Sequence, residues 1–397
     1  MDHGLTGRTV SRRPGEGTAQ GGGRTPGRRQ CYARAPHRRK ADMEIGIPKE
    51  VKPHEARVAL VPDAAGQLVR RGHRVRVESG AGAASGYGDD DYAERGVAVV
   101  PDAAALYRAS RLVVKVKEPV EREFPLLRAD HLLFSYLHLA ANPALAETLC
   151  RIGLTALAFE TVQEDGGLPL LAPMSDVAGR LAVQIGAHLL HRPQGGRGVL
   201  LGGLPAAGRG RVVVLGAGQA GGNAARVAAA LGAEVTVFAR HRSSLARMRA
   251  LGDNVTALYP YQDALEAAVA GADLLVGAVL VPGARAPQLV SEAMVARMAP
   301  GSVIVDIAVD QGGCVATTRP TDYGAPTYRC HEVTHFAVTN MPAAVPRSAS
   351  QALSAALIPY LLRLAAGDWR GDPALAAGVN VEGGRVVHPA VAGALAA

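Results

Sequence analysis

The sequence predicts an α/β protein with two domains, one of them discontinuous. Short apolar segments alternate with helical segments along residues 43–170 and again along residues 171–345, a pattern typical of parallel sheets connected by helices. An Ala- and Leu-rich segment at residues 350–366 follows, and we expect it to return the chain to the first domain over residues 346–397. The length of 397 residues also exceeds the size at which a single core usually stops growing.

Residues 1–42 form a basic extension that we predict to be disordered. They hold nine arginines and Lys40 against three acidic residues, a local charge of +7, with almost no aliphatic periodicity. Such a segment cannot bury enough apolar surface to offset the conformational entropy that ordering removes. The rest of the chain carries only +1 of the total charge of +8, which argues against a nucleic-acid partner for the folded body.

The composition indicates a cytoplasmic protein without a metal. Its four cysteines show neither C-x-x-C pairing nor zinc-ligand spacing. The N-terminal extension lacks the apolar segment of a secretory signal. No apolar run approaches the roughly twenty residues that cross a bilayer, so we expect no membrane partner.

The elements of the first domain begin with a strand at residues 45–47 and a helix at residues 62–71, which Gly72 closes. Its other predicted elements are strands at residues 75–77, 112–116 and 132–136 and a helix at residues 102–110. An amphipathic helix at residues 175–190 begins at two capping residues and suits a connection between domains. The second domain is predicted to contain strands at residues 274–278 and 302–305 beyond the motif described next.

The most specific motif is a glycine-rich turn between a strand and a helix. An apolar run at residues 212–215 leads into Gly216-Ala217-Gly218-Gln219-Ala220-Gly221, an Ala-rich helical segment and a second apolar run at residues 235–238. This is the fingerprint of a Rossmann-type dinucleotide-binding unit. Its glycines allow a tight turn, close approach of the backbone to a pyrophosphate, and close packing of helix on strand. We expect all six residues to bind a dinucleotide.

The end of the second strand departs from the usual NAD pattern. An acidic residue normally accepts hydrogen bonds from the ribose hydroxyls there, but this chain has Ala239, followed by Arg240, His241 and Arg242. The arginines are able to pair with a 2′-phosphate, or they are ordinary solvated loop cations. We therefore expect NAD or NADP as cofactor, with NADP accepted.

Hydride chemistry on a small acid requires a carboxylate anchor, a group that polarises a carbonyl and a proton donor or acceptor. Arg57 follows the first strand, from where it is able to grip a carboxylate bidentately; a surface arginine is the alternative. Lys117 stands at a strand end, and the chain has only five lysines against 38 arginines. A compact ammonium fits beside a carbonyl where a guanidinium does not. Alternation places Lys115 on the same face, but the strand-end position favours Lys117.

His138 and Asp310 are the candidate proton-transfer and amine-binding groups. His138 follows the run at residues 132–137, and an imidazole suits proton exchange near neutral pH, although a lone histidine is more often structural. Asp310 is predicted to end a strand before Gly312-Gly313 and to face the cleft, with Asp306 as the structural alternative. Ligands gather outside the carboxyl ends of parallel strands, which favours functional roles for these groups.

Taken together, these residues resemble the alanine dehydrogenase family, which also includes the nucleotide-binding part of proton-translocating transhydrogenase. The resemblance runs from Met43 almost to the C-terminus. Its motifs are Gly46-Ile47-Pro48-Lys49-Glu50, Val116-Lys117-Glu118-Pro119, Leu137-His138-Leu139-Ala140, Leu170-Leu171-Ala172-Pro173-Met174-Ser175, the glycine-rich turn, Gly277-Ala278-Val279-Leu280-Val281-Pro282-Gly283, Asp310-Gln311-Gly312-Gly313 and Asn340-Met341-Pro342.

The resemblance implies roles for individual residues. Arg57 binds the substrate carboxylate, Lys117 binds the keto oxygen or the carboxylate, His138 is the acid/base and Asp310 assists at the amine centre. The cofactor-binding residues that it adds to the turn and to Ala239 and Arg240 are Ser175, Val279, Leu280, Asp310, Asn340 and Met341. Family members usually form homohexamers, so a homo-oligomer is expected.

The predicted activity is reversible oxidative deamination of L-alanine to pyruvate and ammonia, with hydride transfer to a nicotinamide cofactor. One alternative is a transhydrogenase-type subunit, which has no use for a small-acid pocket made by Arg57, Lys117 and His138. Another is a dinucleotide-binding protein without turnover, since fold does not establish activity.

Overall fold

The structure is a computed structural model that describes residues 42–279 and 286–396. The extension predicted to be disordered, residues 1–42, lies outside the described residues except for Asp42. Within the described ranges, no helix is long and apolar enough to cross a membrane. In the same ranges, no group of His, Cys, Asp and Glu side chains is arranged to hold a metal ion.

The first sheet has eight strands in the order β15-β14-β6-β5-β4-β1-β2-β3. Strands β1 to β6 are parallel, and β14 and β15 extend the β6 edge in antiparallel fashion. Its strands are β1 (Glu44–Ile47), β2 (Arg74–Glu78), β3 (Ala98–Val100), β4 (Leu112–Val114), β5 (Leu132–Ser135), β6 (Thr155–Ala158), β14 (Val379–Glu382) and β15 (Arg385–Val386). Its helices are α1 (Pro62–Arg70), α2 (Asp89–Ala93), α3 (Ala103–Ala109), α4 (Pro143–Ile152), α11 (Pro373–Gly378) and α12 (Pro389–Ala396).

The second sheet has seven strands in the order β12-β13-β11-β10-β7-β8-β9, parallel except for β12. Its strands are β7 (Arg211–Leu215), β8 (Glu234–Phe238), β9 (Val255–Leu258), β10 (Leu274–Gly277), β11 (Val303–Asp306), β12 (Thr327–Cys330) and β13 (Val333–Phe336). Its helices are α6 (Gln219–Ala230), α7 (Arg242–Arg249), α8 (Gln262–Ala270) and α9 (Glu292–Ala296). If β7 is taken as the first strand, the six parallel strands of this sheet follow the order 3-2-1-4-5-6 that is typical of doubly wound nucleotide-binding sheets. Strands β1 to β6 of the first sheet follow the same order.

Two long helices, α5 (Ala172–Leu189) and α10 (Pro346–Ala365), connect the parts of the chain that form the two sheets. Both begin three or four residues before the predicted start, because each accommodates a proline in its first turn, where the missing N–H is not needed. Helix α5 packs closely on α6: a Cβ at Gly179 would lie 2.1 Å from the carbonyl oxygen of Ala220. The predicted α/β class with two sheets is confirmed.

Candidate active site

Three candidate residues follow neighbouring strands of the first sheet. Strands β1, β4 and β5 are adjacent, and Arg57, Lys117 and His138 come after their carboxyl ends. The order of the strands reverses between β1 and β4, so this is the switch point at which doubly wound sheets bind ligands. All three residues therefore follow the carboxyl ends of adjacent parallel strands, on the same side of the sheet.

Arg57 is buried, with its side chain 2% exposed, so the interpretation as a surface arginine is wrong. Its Nε and one terminal nitrogen donate to the two carboxylate oxygens of Glu55 at 2.7 and 2.6 Å. The same terminal nitrogen also donates to Oδ1 of Asn340 at 2.6 Å. Among the described residues, the other terminal nitrogen donates only to the sulfur of Met174, a weak acceptor, at 3.1 Å. One guanidinium nitrogen therefore remains for a substrate, and the expected bidentate grip is not available in this arrangement.

Lys115 and Lys117 occupy different environments, although alternation predicted one face for both. Strand β4 ends at Val114, and the N–H groups of Val116 and Lys117 donate instead to the carboxylate of Glu50 at 2.5 and 3.3 Å. The Lys115 ammonium is buried and donates to both oxygens of Glu123 at 2.7 and 2.8 Å. Lys117 is half-buried, so of the two it is the lysine with access to a ligand.

Glu50 follows β1 and connects it to the segment after β4, because its carboxylate accepts the N–H groups of Val116 and Lys117. Burial raises the pKa of its carboxyl to about 7, and the nearby Lys115 ammonium opposes that shift. This residue was not singled out from the sequence, because its role depends on a contact across 66 residues.

His138 has an exposed ring on a constrained backbone. Its φ of 49° lies in the left-handed region, and its N–H donates to Glu160, which follows β6, at 2.6 Å. The ring stacks beside that of Tyr136, with centroids 6.0 Å apart. The main chain is therefore fixed from the neighbouring strand while the imidazole stays accessible.

Asp310 does not end a strand, contrary to expectation. Strand β11 ends at Asp306, whose buried carboxylate accepts the N–H groups of Ala308 and Cys314 and thereby shapes the following 3-10 turn, Ile307–Gln311. Asp310 lies in that turn. The residue as a whole is exposed, but desolvation by the surrounding protein raises the pKa of its carboxyl.

Charges from the first sheet act on Asp310. The positive charges of Lys117 and His138 lower the pKa of its carboxyl and oppose the effect of desolvation. The backbone N–H of Asn340 acts in the same direction. Groups that follow β4, β5 and β11 are thus brought together.

The glycine-rich turn has the geometry that its motif predicts. Gly216 has a φ of 99°, and a Cβ there would lie 2.6 Å from the carbonyl oxygen of Ala278. A Cβ at Gly221 would lie 1.9 Å from the oxygen of Gly216. Gly218 precedes the N-terminus of α6, and a Cβ there would meet no atom of the described residues within 4 Å beyond its chain neighbours. The open space at Gly218 leaves room for a pyrophosphate.

The other cofactor candidates lie on several different elements. Gln219 donates to Asp176 of α5 at 2.5 Å, next to the half-buried Ser175. Val279 follows β10 beside Gly216. The side chain of Met341 is buried, and its carbonyl oxygen accepts from the hydroxyl of Tyr323 at 2.7 Å. Leu280 lies outside the described residues.

The position expected to select the cofactor is half-buried and apolar. Ala239 packs against the core of the second sheet, and its N–H donates to the oxygen of Leu258 at 3.1 Å. Arg240 and Arg242 are exposed, and within the described part of the chain neither makes a salt bridge. Both arginines are therefore available to an anionic ligand.

Comparisons with known proteins give one consistent family. Residues 46–178 match the family model described as "Alanine dehydrogenase/PNT, N-terminal domain", and residues 182–389 match its C-terminal domain. The chain is 48% identical over 356 residues to an alanine dehydrogenase of Mycolicibacterium smegmatis, and the alignment covers 88% of this chain and 96% of that relative. It is 47% identical to an alanine dehydrogenase of Bacillus subtilis, with an alignment that covers 88% of this chain and 94% of that relative.

Solved structures similar to this chain include an alanine dehydrogenase and a transhydrogenase. An L-alanine dehydrogenase structure matches with a TM-score of 0.86 and 51% identity, covering 89% of this chain and 99% of the other. A transhydrogenase from Sinorhizobium meliloti matches with a TM-score of 0.76 and 27% identity, covering 87% and 99%.

Proposed function

The chain belongs to the alanine dehydrogenase/PNT family, and we propose that it catalyses the reversible oxidative deamination of L-alanine. L-Alanine, the oxidised nicotinamide dinucleotide and water give pyruvate, ammonium, the reduced dinucleotide and a proton. The observation that carries this function is that Lys117 and His138 act on Asp310, while Arg57 is hydrogen-bonded to Asn340, whose N–H also acts on Asp310. A dinucleotide held at the turn Gly216–Gly221 would supply hydride transfer to and from the substrate Cα.

Arg57 and Lys117 hold the substrate. Because Glu55 and Asn340 occupy most of the Arg57 donors, Arg57 offers one nitrogen to a carboxylate oxygen. The Lys117 ammonium supplies the second positive charge, to the other carboxylate oxygen or to the keto oxygen. Two separate donors fix the orientation of a three-carbon acid as a bidentate arginine would.

His138 moves protons, and Asp310 stabilises charge at the amine carbon. An exposed imidazole accepts a proton from the substrate nitrogen or from the attacking water and returns it in the reverse direction. Asp310 faces the positive charges of Lys117 and His138 and favours the cationic iminium form of the substrate by Coulomb attraction.

The test is turnover in both directions, L-alanine with oxidised cofactor and pyruvate plus ammonium with reduced cofactor. Replacing His138 by Ala is expected to lower kcat by roughly 10²-fold or more while cofactor still binds. A protein without turnover supports the non-catalytic alternative. Exchange of hydride between nucleotides, without use of pyruvate, supports the transhydrogenase-type alternative.

We also propose that NADP is accepted at least comparably with NAD. The absence of a carboxylate at Ala239 removes repulsion of a 2′-phosphate, and Arg240 and Arg242 are free to pair with it, each contact contributing on the order of 1.5–3 kcal/mol before desolvation. Ala239→Asp is expected to shift kcat/KM toward NAD, and Arg240→Ala to weaken NADP alone. A wild type with strong preference for NAD, unchanged by Ala239→Asp, contradicts this proposal.

The remaining proposals concern organisation. We propose a substrate domain of residues 43–170 and 346–397, a dinucleotide domain of residues 171–345, and a cytoplasmic homohexamer.

Three exposed leucines, Leu200, Leu204 and Leu231 (48–63% exposed), provide apolar surface that subunits of such an assembly are able to cover. Light scattering on the purified chain measures the assembly, and a monomer contradicts it.

A further inference from the structure

Asn340 and Glu55 form a closed hydrogen-bonded ring with Arg57. Arg57 donates to Glu55 Oε2 at 2.6 Å and to Asn340 Oδ1 at 2.6 Å, and Asn340 Nδ2 donates to Glu55 Oε2 at 2.9 Å. The Glu55 and Arg57 side chains are 0% and 2% exposed. Each member of the ring therefore fixes the other two, with little competition from water.

The ring joins parts of the chain that belong to different sheets. Glu55 and Arg57 follow β1, whereas Asn340 comes 285 residues after Glu55, between β13 of the dinucleotide-binding sheet and α10. The backbone N–H of Asn340 also acts on Asp310, which follows β11 of the second sheet. A displacement of the second sheet relative to the first would therefore move Asn340 and, through its hydrogen bond, the guanidinium of Arg57.

The backbone at Asn340 is held in an uncommon conformation. Its φ of 66° lies in the left-handed region, which asparagine tolerates better than most residues. Such a conformation persists only where the surrounding structure enforces it. Here it directs the amide toward Glu55 and Arg57, which indicates a requirement for this side chain at this place.

We propose that Asn340 and Glu55 are positioning residues that couple occupation of the dinucleotide site to binding of the substrate carboxylate by Arg57. The inference rests on the proposed role of Arg57 as the carboxylate anchor. Glu55 holds the guanidinium plane, and Asn340 ties that plane to the dinucleotide side. The bound dinucleotide fixes the position of Asn340, so the remaining donor of Arg57 points correctly only when that side is in place.

The test compares pyruvate binding to the free enzyme and to the enzyme saturated with NAD⁺, by calorimetry on the full chain. The wild type is expected to bind pyruvate at least five-fold more tightly when NAD⁺ is present. Asn340→Gly keeps the left-handed backbone accessible and deletes the side chain. It is expected to reduce the coupling to within two-fold and to raise the KM for pyruvate and L-alanine on the order of ten-fold.

Glu332→Gly is the matched control, since Glu332 is an exposed residue with a φ of 57° in the turn between β12 and β13. It is expected to retain the wild-type coupling and KM values. Unchanged coupling in Asn340→Gly, or no coupling in the wild type, overturns the proposal. Arg57→Ala distinguishes the proposed coupling from the proposed carboxylate anchor. If Arg57→Ala loses pyruvate binding while Asn340→Gly keeps the wild-type coupling, the role of the ring is refuted and the anchor is not. Unchanged pyruvate binding in Arg57→Ala refutes the anchor, and the ring with it.

Discussion

Two neighbouring glycines of α6, Gly221 and Gly222, provide a sharp test of the dinucleotide turn. A Cβ at Gly221 would lie 1.9 Å from the carbonyl oxygen of Gly216, so helix and turn would have to separate by about 1.5 Å to reach an ordinary contact of 3.4 Å. At Gly222 the nearest atom is the terminal methyl of Met248, at 3.5 Å. Alanine therefore fits at the second position and clashes with the main chain at the first.

The magnitude follows from the balance of two terms. Both substitutions gain helix propensity, up to about 1 kcal/mol, so the difference between the variants isolates the clash. Overpacking against an atom that cannot move aside costs about 1–3 kcal/mol. For a domain of this size each kcal/mol corresponds to roughly 2–4 °C in Tm. Separation of the turn from α6 also misdirects the N–H groups that face the pyrophosphate.

We expect Gly221→Ala to weaken cofactor binding by ten-fold or more and to lower the Tm, while Gly222→Ala keeps the Kd within two-fold and does not lower the Tm. The Kd is measured from the fluorescence of the reduced nicotinamide, and the Tm by calorimetry. Equal effects of the two substitutions, or wild-type affinity in Gly221→Ala, would refute the assignment of this turn as the pyrophosphate site.

Three further predictions concern the buried charges and the substrate anchor. Lys115→Met leaves the buried Glu123 without its cationic partner and is expected to lower the free energy of unfolding by about 3–5 kcal/mol. Lys117→Met should lower it by under ~1 kcal/mol and abolish most turnover. Equal stability losses in the two variants would contradict the different environments of the two lysines. Burial raises the pKa of Glu50 from 4.5 to about 7, so the folded chain retains a proton that the unfolded chain has lost, and stability should fall as the pH rises through that window. The free energy of unfolding, measured by urea titration at several pH values, should depend less steeply on pH in Glu50→Gln than in the wild type. An identical pH dependence would contradict the raised pKa of Glu50. Arg57→Ala should raise the KM for pyruvate and L-alanine, and unchanged values would place the anchor elsewhere.

The class of the fold and the dinucleotide turn follow from local sequence. Alternating apolar runs identify β7 and β8, and the six residues Gly216 to Gly221 carry their conformational requirements in consecutive positions. The predicted boundaries differ from the structure at α5 and α10, where a proline fits the first turn, and at β4. Strand β4 ends at Val114, earlier than predicted, and the N–H groups of Val116 and Lys117 donate to the Glu50 carboxylate.

The tertiary structure decides the environment of the candidate site. Sequence places Arg57, Lys117 and His138 after strands, but it does not distinguish the buried Lys115 from the accessible Lys117, and it leaves Arg57 open as a surface residue. It also gives no sign that Glu55 and Asn340 meet, since 285 residues separate them. Periodicity and turn motifs depend on neighbours along the chain, whereas burial, ion pairing and pKa depend on contacts that form only when strands from distant segments become adjacent.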